Sequence, residues 1–201
     1  MVKSLAESEI AERLSAAGHS SNSDGYTETG APSDSLRCAA VLVPLLRVDG
    51  DWHLLYTRRT DRVESHKGQV SFPGGACDEG ETSPEQTALR EAEEEIGLRP
   101  EDVRVLGRLN SMATISSFRV TPVVGVISWP VVFRPAQAEV ARVFTMPLAW
   151  LADKSNRWEF NIFGRNHSVI FFHPYDGELL WGATARMTVE FLDAISLHNR
   201  D

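Results

Sequence analysis

The sequence predicts an α+β domain in which a mixed β-sheet is layered between helices, an α/β/α sandwich. Candidate strands outnumber candidate helices and do not alternate with them, which argues against a doubly wound parallel fold. The first two strands are joined by a two-residue hairpin signal, and a single helix in mid-chain carries both of its end signals. The length, 201 residues at 42% hydrophobic and 24% charged, suits one such domain with a short appendage. We divide the chain into an N-terminal helix and linker, 1–35, and a compact domain, 36–201.

Residues 4–17 have the spacing of an amphipathic helix through Leu5, Ile10 and Leu14, and a Ser, Gly and Asp-rich linker follows. Strands are expected at 38–48 and 52–58, turning at Asp49-Gly50, and a short one at 69–72 ends in Pro73-Gly74-Gly75. After a loop, Ser83-Pro84-Glu85-Gln86 reads as N-cap, first-turn proline and capping-box glutamine, and Gly97 as the C-terminal cap. Leu89, Ala92 and Ile96 form the stripe of this helix that should pack on the sheet. Further strands are expected at 103–109, 119–127, 158–163 and 168–172, with a closing helix over 184–198.

Twenty-eight acidic against twenty basic residues give a net charge of −8, which disfavours nucleic acid and anionic membranes as partners. No apolar run approaches the roughly 20 residues of a bilayer span, and the N-terminal stretch lacks the apolar core of a signal peptide. The expected location is cytoplasmic; Asn199-Arg200-Asp201 is no peroxisomal address of the SKL type. Cys38 and Cys77 stand far apart without a CxxC motif, so the expectation is two free thiols, with neither a disulfide nor a zinc site. Trp129, Trp150, Trp158 and Trp181 are candidates for a homodimer surface or for stacking on adenine, against the commoner use of large aromatics as core.

The chemistry concentrates in Arg90-Glu91-Ala92-Glu93-Glu94-Glu95. At about 100° per residue Glu91 and Glu95 share a face one turn apart, Glu94 flanks them and Glu93 points elsewhere. Two carboxylates about 4 Å apart repel by roughly 4 kcal/mol at an effective dielectric of about 20, so such a face gains from a counter-cation. Mg2+ or Mn2+ suits it, since hard divalent ions take carboxylate oxygens and retain waters. A solvated acidic helix face is the bland alternative; the Gly-Gly turn and the acidic loop of Asp78, Glu79 and Glu81 entering the same helix weigh against it.

Residues 75–98, GACDEGETSPEQTALREAEEEIGL, resemble the Nudix box, through Gly75, Glu81, Arg90, Glu91, Ala92, Glu94, Glu95, Gly97 and Leu98. One residue more separates Glu81 from Arg90 than that pattern has, eight instead of seven. Upstream, LLYTRRTDRVESHKGQVSFPGG (54–75) is similar to the signature of the coenzyme A diphosphatase branch, through Leu54, Leu55, Thr57, Arg58, Arg62, Gly68 and 72–75; that branch commonly shows the extra residue. The resemblance covers roughly 36–190 and implies a Nudix-type sandwich.

It also implies roles. Glu91 and Glu95 would hold the principal cation, with Glu94 sharing that shell or a second ion, the Gly75 carbonyl completing it, and Arg90 orienting the glutamates. Glu139 is the candidate for the further acidic ligand or base that the family places beyond the box; Glu101 and Asp102 read as turn residues. For the substrate, Arg58, Arg59, Arg62, His66 and Lys67 form a cationic segment in an acidic chain, and Arg forks suit phosphate oxygens; Phe72 closes the same segment. The implied reaction is hydrolysis of the coenzyme A diphosphate to adenosine 3′,5′-bisphosphate and 4′-phosphopantetheine. The alternatives are another Nudix specificity, such as NADH, ADP-ribose or dinucleoside polyphosphates, and a catalytically silent nucleotide-binding Nudix module.

Overall fold

The computed structural model describes residues 5–17, 36–61, 67–128, 130–161 and 168–196. In chain order the elements are α1 (Glu7–Ala17), β1 (Arg37–Val48), β2 (Asp51–Arg59), β3 (Val70–Ser71), β4 (Gly74–Ala76), α2 (Pro84–Ile96) and β5 (Val103–Arg108). They continue with β6 (Met112–Ala113), β7 (Phe118–Ile127), β8 (Val140–Pro147), α3 (Leu148–Ala152), β9 (Arg157–Asn161), β10 (Ser168–Phe172) and α4 (Gly182–Ile195). Among the described residues no helix is long and apolar enough to cross a membrane.

The sheet is mixed: β1 runs parallel to β7, and its other pairings are antiparallel. One feature of its register positions the site. β1 and β2 pair closely beside their turn, from Val48↔Asp51 to Leu45↔Leu54. Farther out they splay, and the segment carrying β3 and β4 fills the opening, β3 on Thr57 and Arg58 of β2 and β4 on Ala39 to Val41 of β1. The Leu42 N–H, which donates to the Pro73 carbonyl at 2.8 Å, closes the wedge. Gly74 and Gly75 therefore lie inside the sheet, where the sequence reads as loop.

Each sheet face buries its own cluster. Ala40, Leu42, Leu46, Leu55 and Val123 pack against Ala88, Ala92 and Ile96 of α2, with Leu89 at the margin. Val43, Leu45, Leu54, Tyr56, Phe72 and Val124 pack on the opposite side with Phe191 and Leu192 of α4. The strand alternation that sends neighbours to opposite faces produces these three layers. β9 and β10 form a separate ribbon whose Ile170 and Phe172 join the α4 side.

Several elements differ from the sequence expectation. α1, expected as an appendage, packs into the α4-side core: Ile10 and Leu14 are buried there, and Trp52 Nε1 donates to the Leu5 carbonyl at 2.9 Å. β8 and α3 were not expected as elements. β9 is described only to Asn161, and 162–163 and 197–198 lie outside the described residues. Of the tryptophans, Trp150 is partly buried against Tyr175 and Phe172, Trp158 and Trp181 are exposed, and Trp129 lies outside the described residues.

The largest correction concerns the cysteines. Cys38 and Cys77 are joined in a disulfide, with Cα atoms 5.4 Å apart. The cause is the β1–β4 ladder: Ala39 pairs with Ala76, so the next residue out on each strand faces its counterpart, and the Cys77 N–H donates to the Cys38 carbonyl at 3.1 Å. Distance along the chain had argued for free thiols; antiparallel pairing across a 39-residue excursion cancels that distance.

Candidate active site

α2 carries the acidic residues, and its ends form as its sequence dictates. Ser83 Oγ accepts the Gln86 N–H, and Gly97 ends the helix in the left-handed conformation, its N–H reaching back to the Ala92 and Glu93 carbonyls. The capping box is displaced by one residue: Gln86 Oε1 accepts the N–H of Thr82, not that of Ser83.

Because Ala88, Ala92 and Ile96 bind this helix to the sheet, burial of the glutamates follows from their angle to that stripe. The Glu95 side chain is 6% exposed, Glu91 17% and Glu94 60%. Glu93 is exposed and off the cluster. Glu91 lies against β4, with its carboxylate across the α-carbon of Gly75: a Cβ there would sit 2.6 Å from Glu91 Cδ, so any side chain at this position must push the carboxylate aside.

Arg90 organises the entrance. Its Nε donates to Glu81 at 2.9 Å, Nη1 to Glu91 at 3.0 Å and to Glu94 at 3.1 Å, and Nη2 to the Ala76 carbonyl at 2.9 Å. Asp78 stands 3.4 Å from Nε. Glu81 reaches Arg90 in spite of the extra residue between them, and it also accepts from Thr87 Oγ1 at 2.6 Å and the Asp78 N–H at 2.8 Å. The hydrogen bond from Arg90, reinforced by Thr87 and the Asp78 N–H against the cost of burial, holds the Glu81 carboxyl down at about 2.

Deeper in, the balance reverses. Burial pushes Glu91 above the ordinary carboxyl range although Arg90 opposes it, and repulsion from Glu94 and Glu139 adds to the rise. Burial lifts Glu95 to about 8; Arg59 and the Gly74 N–H pull it down, and Glu91 and Glu139 push it up. Arg59 Nη1 stands 3.9 Å from Glu95 Oε1, while Glu95 Oε2 is buried with no hydrogen-bond partner. Glu139 is exposed, and its carbonyl accepts the Thr60 N–H at 2.9 Å, which ties it to the end of β2 within the field of both glutamates.

An all-oxygen set with a buried orphan oxygen suits a hard divalent cation. Among the described residues no three His, Cys, Asp or Glu side chains already converge on one point. Arg90 holds Glu91 and Glu94, and Arg59 faces Glu95.

Beside Gly74 and Gly75 opens a cavity of about 370 Å³. Phe72, Val41, Phe118, Val120 and Met187 supply apolar walls; Arg59, Gln69, Ser71, Thr114, Ser116 and Thr184 supply polar groups. A larger hollow of about 470 Å³, lined by Glu7, Arg47, Trp52 and Arg104, lies at the hairpin end of β1, away from the carboxylates. Of these two, the smaller adjoins the acidic cluster, through Gly75 beneath Glu91 and Arg59 beside Glu95.

The cationic segment divides. Arg59 lines the cavity and Phe72, buried and stacked on Tyr56 with centroids 4.8 Å apart, forms part of its wall. Arg58 turns to the other side of β2, 3.6 Å from Asp61 and 3.8 Å from Glu178. Lys67 is exposed, and Arg62 and His66 lie outside the described residues. Glu178, 8% exposed and bonded by Arg142 at 3.0 Å, had no signal in the sequence, nor had the cavity walls Phe118 and Met187. Asp78 had a signal only as part of an acidic loop.

The sequence pattern of the NUDIX domain matches residues 36–159 of this chain. The chain belongs to the Nudix hydrolases. It is 42% identical over 156 residues to the Nudix hydrolase NudL of Pectobacterium atrosepticum, covering 77% of this chain and 80% of that protein. It is 40% identical over 150 residues to NudL of Escherichia coli O6:H1, covering 74% and 78%. Among solved structures, the Mycobacterium smegmatis Nudix hydrolase RenU shares the fold, with TM-score 0.56 and 24% identity over 88% of this chain and 98% of that one. As a Nudix hydrolase the protein acts on a nucleoside diphosphate derivative, in a family that generally works with divalent cations.

Proposed function

We propose that this Nudix hydrolase cleaves the diphosphate of coenzyme A, or of its acylated or oxidised forms, to adenosine 3′,5′-bisphosphate and 4′-phosphopantetheine. One observation carries the reading: the 54–75 stretch that resembles the coenzyme A diphosphatase signature and the glutamates of the box meet at one place. Arg59, Phe72, Gly74 and Gly75 from that stretch line the cavity, and Glu91 lies upon Gly75.

Glu91 and Glu95 would hold magnesium or manganese, with Glu94 and the Gly75 carbonyl at the margin. When bound, such an ion neutralises diphosphate charge and lowers the pKa of a coordinated water. The chain's own groups do the rest. Arg90 fixes the Glu91 carboxylate against Gly75, Arg59 meets a phosphate oxygen, and Glu139 accepts the proton of the attacking water. The walls around Phe72 and Phe118 exclude solvent from one arm of the substrate and strengthen these charge interactions.

The test is a product analysis with purified protein and Mg2+ or Mn2+ on coenzyme A, NADH, ADP-ribose and diadenosine polyphosphates. Adenosine 3′,5′-bisphosphate with 4′-phosphopantetheine, formed from coenzyme A at the highest kcat/KM, is the expected result. Faster cleavage of another substrate would move the specificity elsewhere in the family, and no cleavage of any would favour a silent nucleotide-binding module.

A further inference from the structure

Arg59 and Glu95 form an incomplete pair. Their nearest approach, 3.9 Å, is too long for a hydrogen bond, and each partner keeps a buried atom with no hydrogen-bond partner, Nε on Arg59 and Oε2 on Glu95. Buried orphans of this kind cost stability, and the obvious remedy for the two differs: an anion for the guanidinium, a cation for the carboxylate.

The position of Arg59 allows both. The pairing of β2 with β8 shifts register between Arg58 and Arg59, so Arg58 opposes Arg142 and Arg59 opposes Val140. The residue left over, Ala141, is on β8, and along β2 ordinary strand alternation sends the neighbours Arg58 and Arg59 to opposite faces. Arg58 turns to Asp61 and Glu178, whereas Arg59 borders the cavity beside Gly74 and Gly75 and remains 28% exposed. The other guanidinium at the cluster, Arg90, is held by four acceptors.

We propose that Arg59 is a positioning residue that couples the two halves of the site: it stands against Glu95 while no cation is there, and turns its guanidinium onto a diphosphate oxygen in the adjoining cavity when a divalent cation takes Glu95. This deepens the hydrolase reading and rests on it only for the diphosphate, not for coenzyme A. The coupling is reciprocal by linkage, so a bound diphosphate that draws Arg59 away strengthens cation binding by the same factor.

Calorimetry of Mn2+ binding tests this, alone and with adenosine 5′-(α,β-methylene)diphosphate as a non-cleavable probe. In the unmodified protein the probe should strengthen Mn2+ binding about tenfold, an ordinary size for coupled sites. In Arg59→Gln, Mn2+ alone should bind more tightly than in the unmodified protein, and the enhancement by the probe should shrink to the part that direct attraction between cation and diphosphate supplies. Arg59→Lys, which keeps the charge without the fork, should restore part of it. Arg142→Gln, which removes an equal charge from the other face of the sheet, should leave both values as they were. Unchanged or weaker Mn2+ binding in Arg59→Gln, an enhancement as large as that of the unmodified protein, or an equal effect of Arg142→Gln would overturn the proposal. No Mn2+ uptake by the unmodified protein would overturn it together with the metal-dependent reading, whereas a substrate other than coenzyme A would leave it standing.

Discussion

The Glu91 carboxylate lies across the α-carbon of Gly75, so that β4 and α2 meet where a side chain would otherwise be. Gly75→Ala forces the carboxylate aside. The helix is held by Ala88, Ala92 and Ile96 and does not yield, so the displacement falls on Glu91. A shift of about 1 Å in a catalytic group costs about 100-fold in rate. We expect kcat to fall by about that factor in Gly75→Ala with an unchanged circular dichroism spectrum. A variant as active as the parent would show that Glu91 is not needed in this position.

The burial gradient along α2 sorts the glutamates. Mn2+ should raise the melting temperature of the unmodified protein, and Glu91→Gln and Glu95→Gln should each lower turnover by orders of magnitude and abolish that rise. Glu93→Gln, exposed and off the cluster, should do neither. Thermal scans with and without Mn2+ decide the metal part independently of any substrate.

What could be read along the chain was local. Ser83, Pro84 and Gly97 bracket α2 because capping is settled within one turn, and the cluster of Glu91, Glu94 and Glu95 follows from helical periodicity. What could not be read depends on sheet register. Cys38 meets Cys77 because Ala39 pairs with Ala76, and Arg59 stands opposite Val140, with Ala141 skipped, because of a register shift against β8. Glu178 finds Arg58 and Arg142, and α1 finds the core, through contacts far apart in sequence. Neither propensity nor motif encodes such pairings, since each is a property of two strands together.

The disulfide bears on the site through its neighbours. Cys77 stands between Ala76, whose carbonyl accepts from Arg90 at 2.9 Å, and Asp78, 3.4 Å from the same guanidinium. Closing a loop across 39 residues is worth roughly 3–4 kcal/mol in the chain-entropy picture. Reduction with dithiothreitol should therefore lower the melting temperature and weaken Mn2+-dependent turnover, because the loop framing Arg90 is then held by hydrogen bonds alone. The Cys38→Ser, Cys77→Ser double variant should match the reduced protein and ignore the reductant. Equal melting temperatures for oxidised, reduced and double-variant protein would remove any role for the bond.

Glu190 offers a pH test away from the acidic cluster of α2. It lies on α4, its Oε2 is buried without a hydrogen-bond partner, and burial pushes its carboxyl above the ordinary value; Arg186 opposes the shift and Asp193 adds to it. A carboxyl whose pKa is raised by folding favours the folded state most while protonated. Its contribution is full below the unfolded value of about 4.5 and is lost as the pH climbs through the raised folded value. At neutral pH the ionised group is a net cost, which Glu190→Gln removes by keeping the shape and discarding the charge. We expect the variant to be more stable than the parent at pH 7 by about 1 kcal/mol, or about 2–4 °C in melting temperature for a chain of this size. The advantage should shrink as the pH falls and disappear below about 4.5. Thermal unfolding of both proteins across that range measures it. An advantage that stays constant with pH would mean that the substitution acts through packing, and a loss of stability at pH 7 would mean that the buried carboxylate has a partner it needs.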